Sequence, residues 1–327
     1  MTIQPLIQTT AFNVAEWETD AKFGVFPQGA RAKDAVFAPA RPPEPVLVGG
    51  KRYLFKRSKR SYPDQFWGEV IAYRVGCLMG LGVPPAFAAF NSSTGHSAAL
   101  IEWFYRDGAE LFVHGGDFMQ RIRPDFERDR GTKHNLQDVE RLMRGLVNPK
   151  ALTQNWRQWW VEALLFDAPI GNSDRHQDNW GLIFDAPGHK PIERPACRLA
   201  PLFDDGTSLG HERFPDRVAG WTDARLDQYI ERGTHHIKSS IEIGHVQGHL
   251  ALLSHVLQHW EKHMDLNLLR SRIDFHPRDL ILCMADLVNL AVPLPLSTER
   301  MRFVCCLLIR RHALLRNLLN APADPFG

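Results

Sequence analysis

One run of the sequence gathers Asp, His and Asn between two apolar flanks: Leu165-Phe166-Asp167-Ala168-Pro169-Ile170-Gly171-Asn172-Ser173-Asp174-Arg175-His176-Gln177-Asp178-Asn179-Trp180-Gly181-Leu182. Asp174 and Asn179 stand in the pattern Asp-x-x-x-x-Asn. A second acid follows in Leu199-Ala200-Pro201-Leu202-Phe203-Asp204-Asp205-Gly206. An apolar pair leading into Asp and closing on Gly is how a strand would deliver a metal ligand. An Asn/Asp-rich surface turn between two core segments is the plainer reading of the first run, so the rest of the chain has to decide.

The Asp-x-x-x-x-Asn spacing is that of the protein-kinase catalytic loop, where the Asp receives the substrate hydroxyl proton and the Asn holds a magnesium ion. Composition is compatible with such an enzyme. A chain of 327 residues, 44% hydrophobic and 23% charged, can bury a substantial core in one large domain or two lobes. A formal net charge of +2 gives no global pull toward nucleic acid or membrane. The five cysteines are odd in number and lack Cys-x-x-Cys spacing, which fits a reduced, cytoplasmic protein. Met1 to Asp20 is polar, without the apolar core of a signal peptide. No uncharged apolar run reaches the ~18 residues of a membrane helix.

Read in order, residues 1–20 form an arm or leading strand. Gln28-Gly29-Ala30-Arg31-Ala32-Lys33 sits between short apolar segments, as a hairpin or as a loop whose backbone N–H groups approach a phosphate. Lys51–Lys56 reads as a strand. Ser61-Tyr62-Pro63-Asp64 opens a helix running to about Met79. Phe66, Val70, Tyr73 and Cys77 recur on one face of it, and Glu69 falls at the margin of that face. A strand ending in Lys56 before a helix carrying Glu69 is the order of the kinase Lys–Glu pair. Strands over 86–90 and 98–104 flank the turn Asn91–Gly95. The polar, glycine-containing stretch from Arg106 to Gly116 then reads as a hinge. Helical patterns follow at about 136–147, 150–168, 222–231, 246–263, 276–291 and 298–318. A β-rich part followed by an α-rich part predicts an α+β fold of two lobes, over 1–105 and 106–327.

Other chemistries find little support. His245 and His249, then His255, His259 and His263, step by four on helical sequence. No Glu or Cys completes a zinc set there, which points to structural or solvated roles. His235-His236 has no compositional explanation. There is no Gly-x-Ser-x-Gly elbow, and the basic cluster at Lys51–Arg60 lacks the interleaved aromatics of a nucleic-acid surface.

The ordered set of Gly-Ala-Arg-Ala-Lys loop, Lys56, Glu69, Ile-Glu-Trp-Phe, Asn-Ser-Asp-Arg-His-Gln-Asp-Asn and Leu-Ala-Pro-Leu-Phe-Asp-Asp resembles the HipA family of bacterial serine/threonine kinases, in particular its shorter, CtkA-like members. The Asp-Arg-His core also resembles the catalytic loop of phosphatidylinositol kinases. The resemblance implies a two-lobed protein-kinase-like fold that uses ATP and Mg2+. It implies that Gln28, Gly29, Ala30, Arg31, Ala32 and Lys33 cover the phosphates and that Lys56, paired with Glu69, contacts them. It implies that Glu102, Trp103 and Phe104 form the adenine hinge. In the catalytic loop it makes Asp174 the base, His176 a neighbour of the phosphates and Asn179 a metal ligand. Asp204, after Phe203, becomes the second ligand, with Asp205 in competition. Only about twenty residues precede the glycine loop, as in a form without the N-terminal subdomain of the larger toxins. That loop also lacks a Ser or Thr for autophosphorylation.

The expectation is a Ser/Thr protein kinase, a toxin or effector with a protein substrate and a small antitoxin-like partner, with no direct nucleic-acid binding. The alternatives are a phosphatidylinositol-type lipid kinase and a nucleotide-binding pseudokinase acting as an interaction module.

Overall fold

The computed structural model describes residues 3–21, 32–147, 151–186 and 197–320. The glycine-loop positions Gln28, Gly29, Ala30 and Arg31 lie outside these residues. The chain begins with strands β1 (Phe12–Asn13), β2 (Glu18–Thr19), β3 (Lys33–Phe37) and β4 (Arg52–Arg57), helix α1 (Phe66–Leu78), and strands β5 (Ala86–Asn91) and β6 (His96–Glu102). It continues through β7 (Glu110–His114), α2 (Gly115–Ile122), α3 (Leu136–Val147), α4 (Trp156–Ile170), β8 (Gly181–Asp185) and β9 (Cys197–Leu199). Helices α5 (Pro215–Val218), α6 (Asp223–Glu231), α7 (His249–His259), α8 (Leu266–Arg272), α9 (Pro277–Leu282) and α10 (Thr298–Asn320) complete it. The fold is α+β.

Two compact units result, and neither is continuous in sequence. The first comprises Met1–Trp103, Asp205–Asp223 and Phe275–Ile309; the second comprises Phe104–Asp204, Ala224–Asp274 and Arg310–Gly327. A single boundary after residue 105 does not describe this division. Late segments return to complete the first unit.

The first unit is built on a six-stranded sheet of order β1-β5-β6-β4-β3-β2, antiparallel except for the β1–β5 pair. Side chains alternate across a sheet. On β4, Tyr53 and Phe55 join Val36, Phe87 and Leu100 in one core. Lys56, next in the chain, is therefore sent to the opposite face, beside its cross-strand partner Ala99. That face is covered by α1, where Tyr73 and Cys77 pack with Ala86 and Ile101.

Helix α1 differs from its sequence expectation in two ways. It starts at Phe66, after turns over the residues from Ser61. It is also buried all round from Phe66 to Cys77 rather than along one stripe, which brings Glu69 inside. The reason is that the late segments cover its outer side. A Cβ on Gly68 would meet Gly206 at 3.3 Å, Trp67 Nε1 donates to the Leu294 carbonyl at 3.1 Å, and Arg74 pairs with Asp286 at 3.0 Å.

In the second unit β7, β8 and β9 form an antiparallel sheet. The stretch read as a hinge thus holds a strand and the start of a helix. The glycines that suggested a linker serve close packing: a Cβ on Gly115 would lie 2.2 Å from the Trp180 ring. Trp160 and Trp180, both fully buried, meet edge to face with centroids 5.1 Å apart, an arrangement that adds to the area they bury. Several helices are shorter than their patterns. α7 ends at His259 before a 3-10 turn, and α9 ends at Leu282 before another. α4 begins at Trp156, where the Asn155 side chain caps it by accepting the Gln158 N–H.

Candidate active site

The catalytic-loop candidates follow directly from the way α4 stops. Pro169 lies in its last turn, and Gly171 adopts the left-handed φ of 63° that closes the helix. The Gly171 N–H returns to the Asp167 carbonyl, and the Arg311 guanidinium lies where a Cβ at 171 would stand. The Asn172 side chain then accepts the Asp174 N–H at 2.9 Å, an Asx turn that sets the loop's direction. Asn179 Nδ2 donates to the Asp174 carbonyl at 2.6 Å. The two residues singled out by spacing are therefore bonded to each other across the loop. With its nitrogen so engaged, the Asn179 amide presents Oδ1 as its remaining acceptor. His176 Nδ1 accepts the Asp178 N–H at 3.1 Å, which puts the proton of a neutral ring on Nε2.

The loop is fixed from beneath by residues that sequence reading missed. Arg175, at 0% exposure, donates its Nε and Nη2 to the two oxygens of Asp167 at 3.0 and 2.6 Å. Its Nη1 donates to the carbonyls of Phe203, at 2.7 Å, and Asn179, at 3.2 Å. Asp167 also accepts from Asn172 Nδ2 at 3.1 Å and bonds His235 Nε2 at 3.0 Å. Burial alone would push the Asp167 carboxyl up; the Arg175 charge and the bonds from His235 and Arg175 outweigh it and hold the acid well below the usual carboxylate range. This accounts for His235, which composition left unexplained. A signal was present in the sequence: Asp167 interrupts the otherwise apolar Leu164–Ile170, and an acid in such a run needs a buried partner.

Arg175 thereby ties the loop of Asp174 and Asn179 to Phe203, the residue before Asp204. Asp204 itself adopts a left-handed φ of 60°, one of two such non-glycine residues among those described. Strain of this kind persists where the surroundings over-determine it, often at functional positions. Phe203 stacks obliquely on Phe104 with centroids 5.0 Å apart, and Phe112 of β7 sits edge-on to both. Phe104 and Phe203, expected near the nucleotide, thus share one aromatic cluster. Phe112 was not anticipated, because β7 was not.

The first unit carries the lysine and glutamate candidates. Lys56 and Glu69, 13 residues apart, pair at 2.7 Å, and each is under 5% exposed. The other Glu69 oxygen accepts the Asp205 backbone N–H at 2.9 Å. Asp205 is itself 2% exposed. Lys33 lies directly across from Lys56 in the β3–β4 register, at the β3 end nearest Ala32. At the end of β6 the Glu102 N–H donates to the Pro85 carbonyl and the Trp103 N–H to the Arg52 carbonyl. Both amides are consumed by the sheet, and the Glu102 side chain is bonded to Lys51. The Trp103 ring carries the Arg52 guanidinium at 4.6 Å.

A resident metal would have to be held by few protein ligands. Among the described residues no group of three or more His, Cys, Asp and Glu is arranged to hold an ion. The acid Asp204 and the amide Asn179 are hard oxygen donors, and Mg2+ accepts one or two such groups together with phosphate and water. The donor set fits that ion and not zinc. Histidines His249, His255 and His259 hold no such site: His249 Nε2 bonds the Asn172 carbonyl at 2.8 Å, and His255 stacks on His259. No helix among the described residues is long and apolar enough to cross a membrane.

The chain is 23% identical over 181 residues to the Sinorhizobium fredii protein named "Putative kinase Y4mE", covering 54% of this chain and 40% of that one. Its fold is similar to the crystal structure of the Helicobacter pylori proinflammatory kinase CtkA, with a TM-score of 0.63 at 16% identity over 94% of this chain and 96% of the other. A HipA from Shewanella oneidensis, solved with HipB and operator DNA, overlaps less, with a TM-score of 0.43 at 13% identity over 93% and 69% of the respective chains. A family model of the HipA-like C-terminal domain matches residues 26–247. The chain belongs to the HipA-like kinase family.

Proposed function

We propose that the protein transfers the γ-phosphate of ATP to a Ser or Thr hydroxyl of a protein substrate. The observation that carries this reading is the mutual fixing of Asp174 and Asn179, bonded to each other at 2.6 Å on a loop whose buried Arg175 leaves it little freedom. Phosphoryl transfer asks a protein mostly for positioning and charge neutralisation, and the named groups divide that work. Asp174 accepts the proton of the acceptor hydroxyl. Lys56, oriented by Glu69, holds the phosphates, aided by Ala32, Lys33 and the residues before them. His176 donates from Nε2 to a phosphate oxygen. The Glu102 carbonyl and the backbone beyond Trp103 would receive the adenine. Asn179 Oδ1 and Asp204 would hold magnesium, which when bound would neutralise charge on the phosphates. Asp204 is preferred to Asp205 because the latter is buried and its N–H is committed to Glu69.

The test uses radiolabelled γ-phosphate, offered to the protein itself, to cell lysate and to phosphoinositide vesicles. Asp174→Asn is expected to keep ATP–Mg binding, seen as a raised melting temperature, while transfer falls about 10²–10⁴-fold. Asp204→Asn is expected to lose both. Label in lipid alone would make the chain a lipid kinase. ATP binding without transfer to either acceptor would make it a pseudokinase. Undiminished activity of Asp174→Asn would exclude Asp174 as the base.

A further inference from the structure

The stretch that follows Asp204 is strained where it turns and is gripped where it ends. Leu209 adopts a left-handed φ of 56° and is followed by Gly210 at 66°. For a bulky residue such a conformation is strained and needs an external hold. One hold is steric: a Cβ on Gly210 would stand 2.6 Å from the Phe303 ring of α10. The other is Arg300, one turn earlier on the same helix. It is 5% exposed, and its guanidinium is divided among three partners. Nη1 donates to the Gly210 carbonyl at 3.0 Å, Nη2 to the Arg213 carbonyl at 2.5 Å, and Nε to Asp64 Oδ2 at 2.8 Å.

The third partner makes this more than a loop anchor. Asp64 lies in the turn that leads into α1; its carbonyl accepts the Trp67 N–H at 3.1 Å. Glu69 is on the following turn of that helix. Its Oε2 accepts the N–H of Asp205, at the opposite end of the segment that Arg300 grips. One guanidinium therefore holds the C-terminal side of 205–213 and the N-terminal side of α1, and the Glu69–Asp205 bond closes the same ring of contacts on the other side. Between the two, Gly68 lets α1 approach Gly206.

We infer that Arg300 is a positioning residue for the Lys56–Glu69 pair: by fixing both α1 and the 205–213 segment, it sets the distance across which Glu69 reaches Lys56 on one side and the Asp205 amide on the other. A planar fork with five donors is suited to three diverging acceptors, and a lysine is not. The inference rests on the kinase reading only for its activity readout.

The experiment compares Arg300→Ala, Arg300→Lys, Glu69→Gln and the Arg300→Ala/Glu69→Gln double variant. The first measurement is amide hydrogen exchange without nucleotide, which needs no activity. In Arg300→Ala, peptides over 62–72 and 204–213 are expected to exchange together, at least tenfold faster than in wild type, while those over 156–170 are unchanged. The second is γ-phosphate transfer, normalised to folded protein. If Arg300 acts through Glu69, the double variant is no slower than Glu69→Gln alone, whereas independent losses multiply. Arg300→Lys, retained in case the alanine variant does not fold, is expected to fall between wild type and alanine in both measurements. Faster exchange confined to 204–213, or multiplying losses, would overturn the inference. A wild type that transfers no phosphate would sink the kinase reading, and exchange would still judge the role of Arg300.

Discussion

Two buried carboxylates, Glu69 in the first unit and Asp167 in the second, solve different problems with the same group. Asp167 has both oxygens doubly engaged, by Arg175, Asn172 and His235. Its principal cation is an arginine, which cannot shed its proton. Glu69 meets Lys56 and the Asp205 amide through the bonds described above, and a lysine is a point charge on a flexible stem rather than a fixed fork. The first arrangement is a frame: it ties the loop carrying Asp174 and Asn179 to the helix below it. The second is a strut, which on the proposed reading presents Lys56 to a phosphate. Neither is best understood as a source of net stability, because the desolvation of buried charges largely cancels their attraction.

The comparison can be broken most forcefully at the acids. Asp167→Asn leaves the fully buried Arg175 without its counter-charge, and a loss of about 3–5 kcal/mol in unfolding free energy is expected. Glu69→Gln should cost less, about 1–3 kcal/mol, while reducing phosphoryl transfer more per kcal/mol lost. Denaturant titration of both variants beside their transfer rates decides this, and equal stability losses would erase the distinction between frame and strut.

Acid sharpens the same contrast from the second unit alone. Burial pulls His249 down to about 4, with His235 and Arg311 adding to the effect and Asp167 opposing it. Burial, then His176, His235 and Lys238, bring His236 to the same value. Both are neutral in the folded protein at pH 7. In the unfolded chain they would titrate near 6.5, so protonation favours unfolding once the pH drops below that value. Stability is expected to be flat above about pH 6.5 and to fall toward pH 4, by on the order of 3 kcal/mol for each histidine. Asp167 works in the opposite sense: its depressed acid contributes stability above about pH 4, which is lost only as pH falls further. Thermal unfolding of His249→Gln between pH 4 and 8 should show a shallower slope than wild type. The smallest effect is expected from Lys51–Glu102, a pair with a third of the lysine exposed. A double-mutant cycle there should give about 0.2–1 kcal/mol, decreasing with salt.

What could be read from sequence was local. Asp174 and Asn179 are joined across one loop, and Lys56 precedes Glu69 on adjacent elements, so spacing alone pairs them. The frame was not legible because Arg175 finds Asp167 across the end of a helix and His235 arrives from 68 residues away. The strand and helix start within 106–116 were not anticipated because Gly115 and Gly116 look like linker residues, although the neighbours that exclude a side chain there, Trp180 and Asp178, lie far along the chain. The depth of Glu69 was misjudged for a similar reason. An apolar stripe identifies one buried face of a helix but cannot announce that Leu294, Asp286 and Gly206 will cover the other.

That second cover has a consequence for how the molecule comes into being. The strands and helix that carry Lys56 and Glu69 are complete by Trp103, yet residues 275–309 belong to the same compact unit. During synthesis α1 must wait, with Trp67 and Arg74 unsheltered, until almost three times that length of chain has left the ribosome. Contacts of such long sequence separation form slowly, and the exposed apolar surface is a site for aggregation or chaperone capture meanwhile. The seating of α1 is thus a late event, and a ribosome-bound chain that already possesses residues 172–179 still lacks the segment that covers this helix.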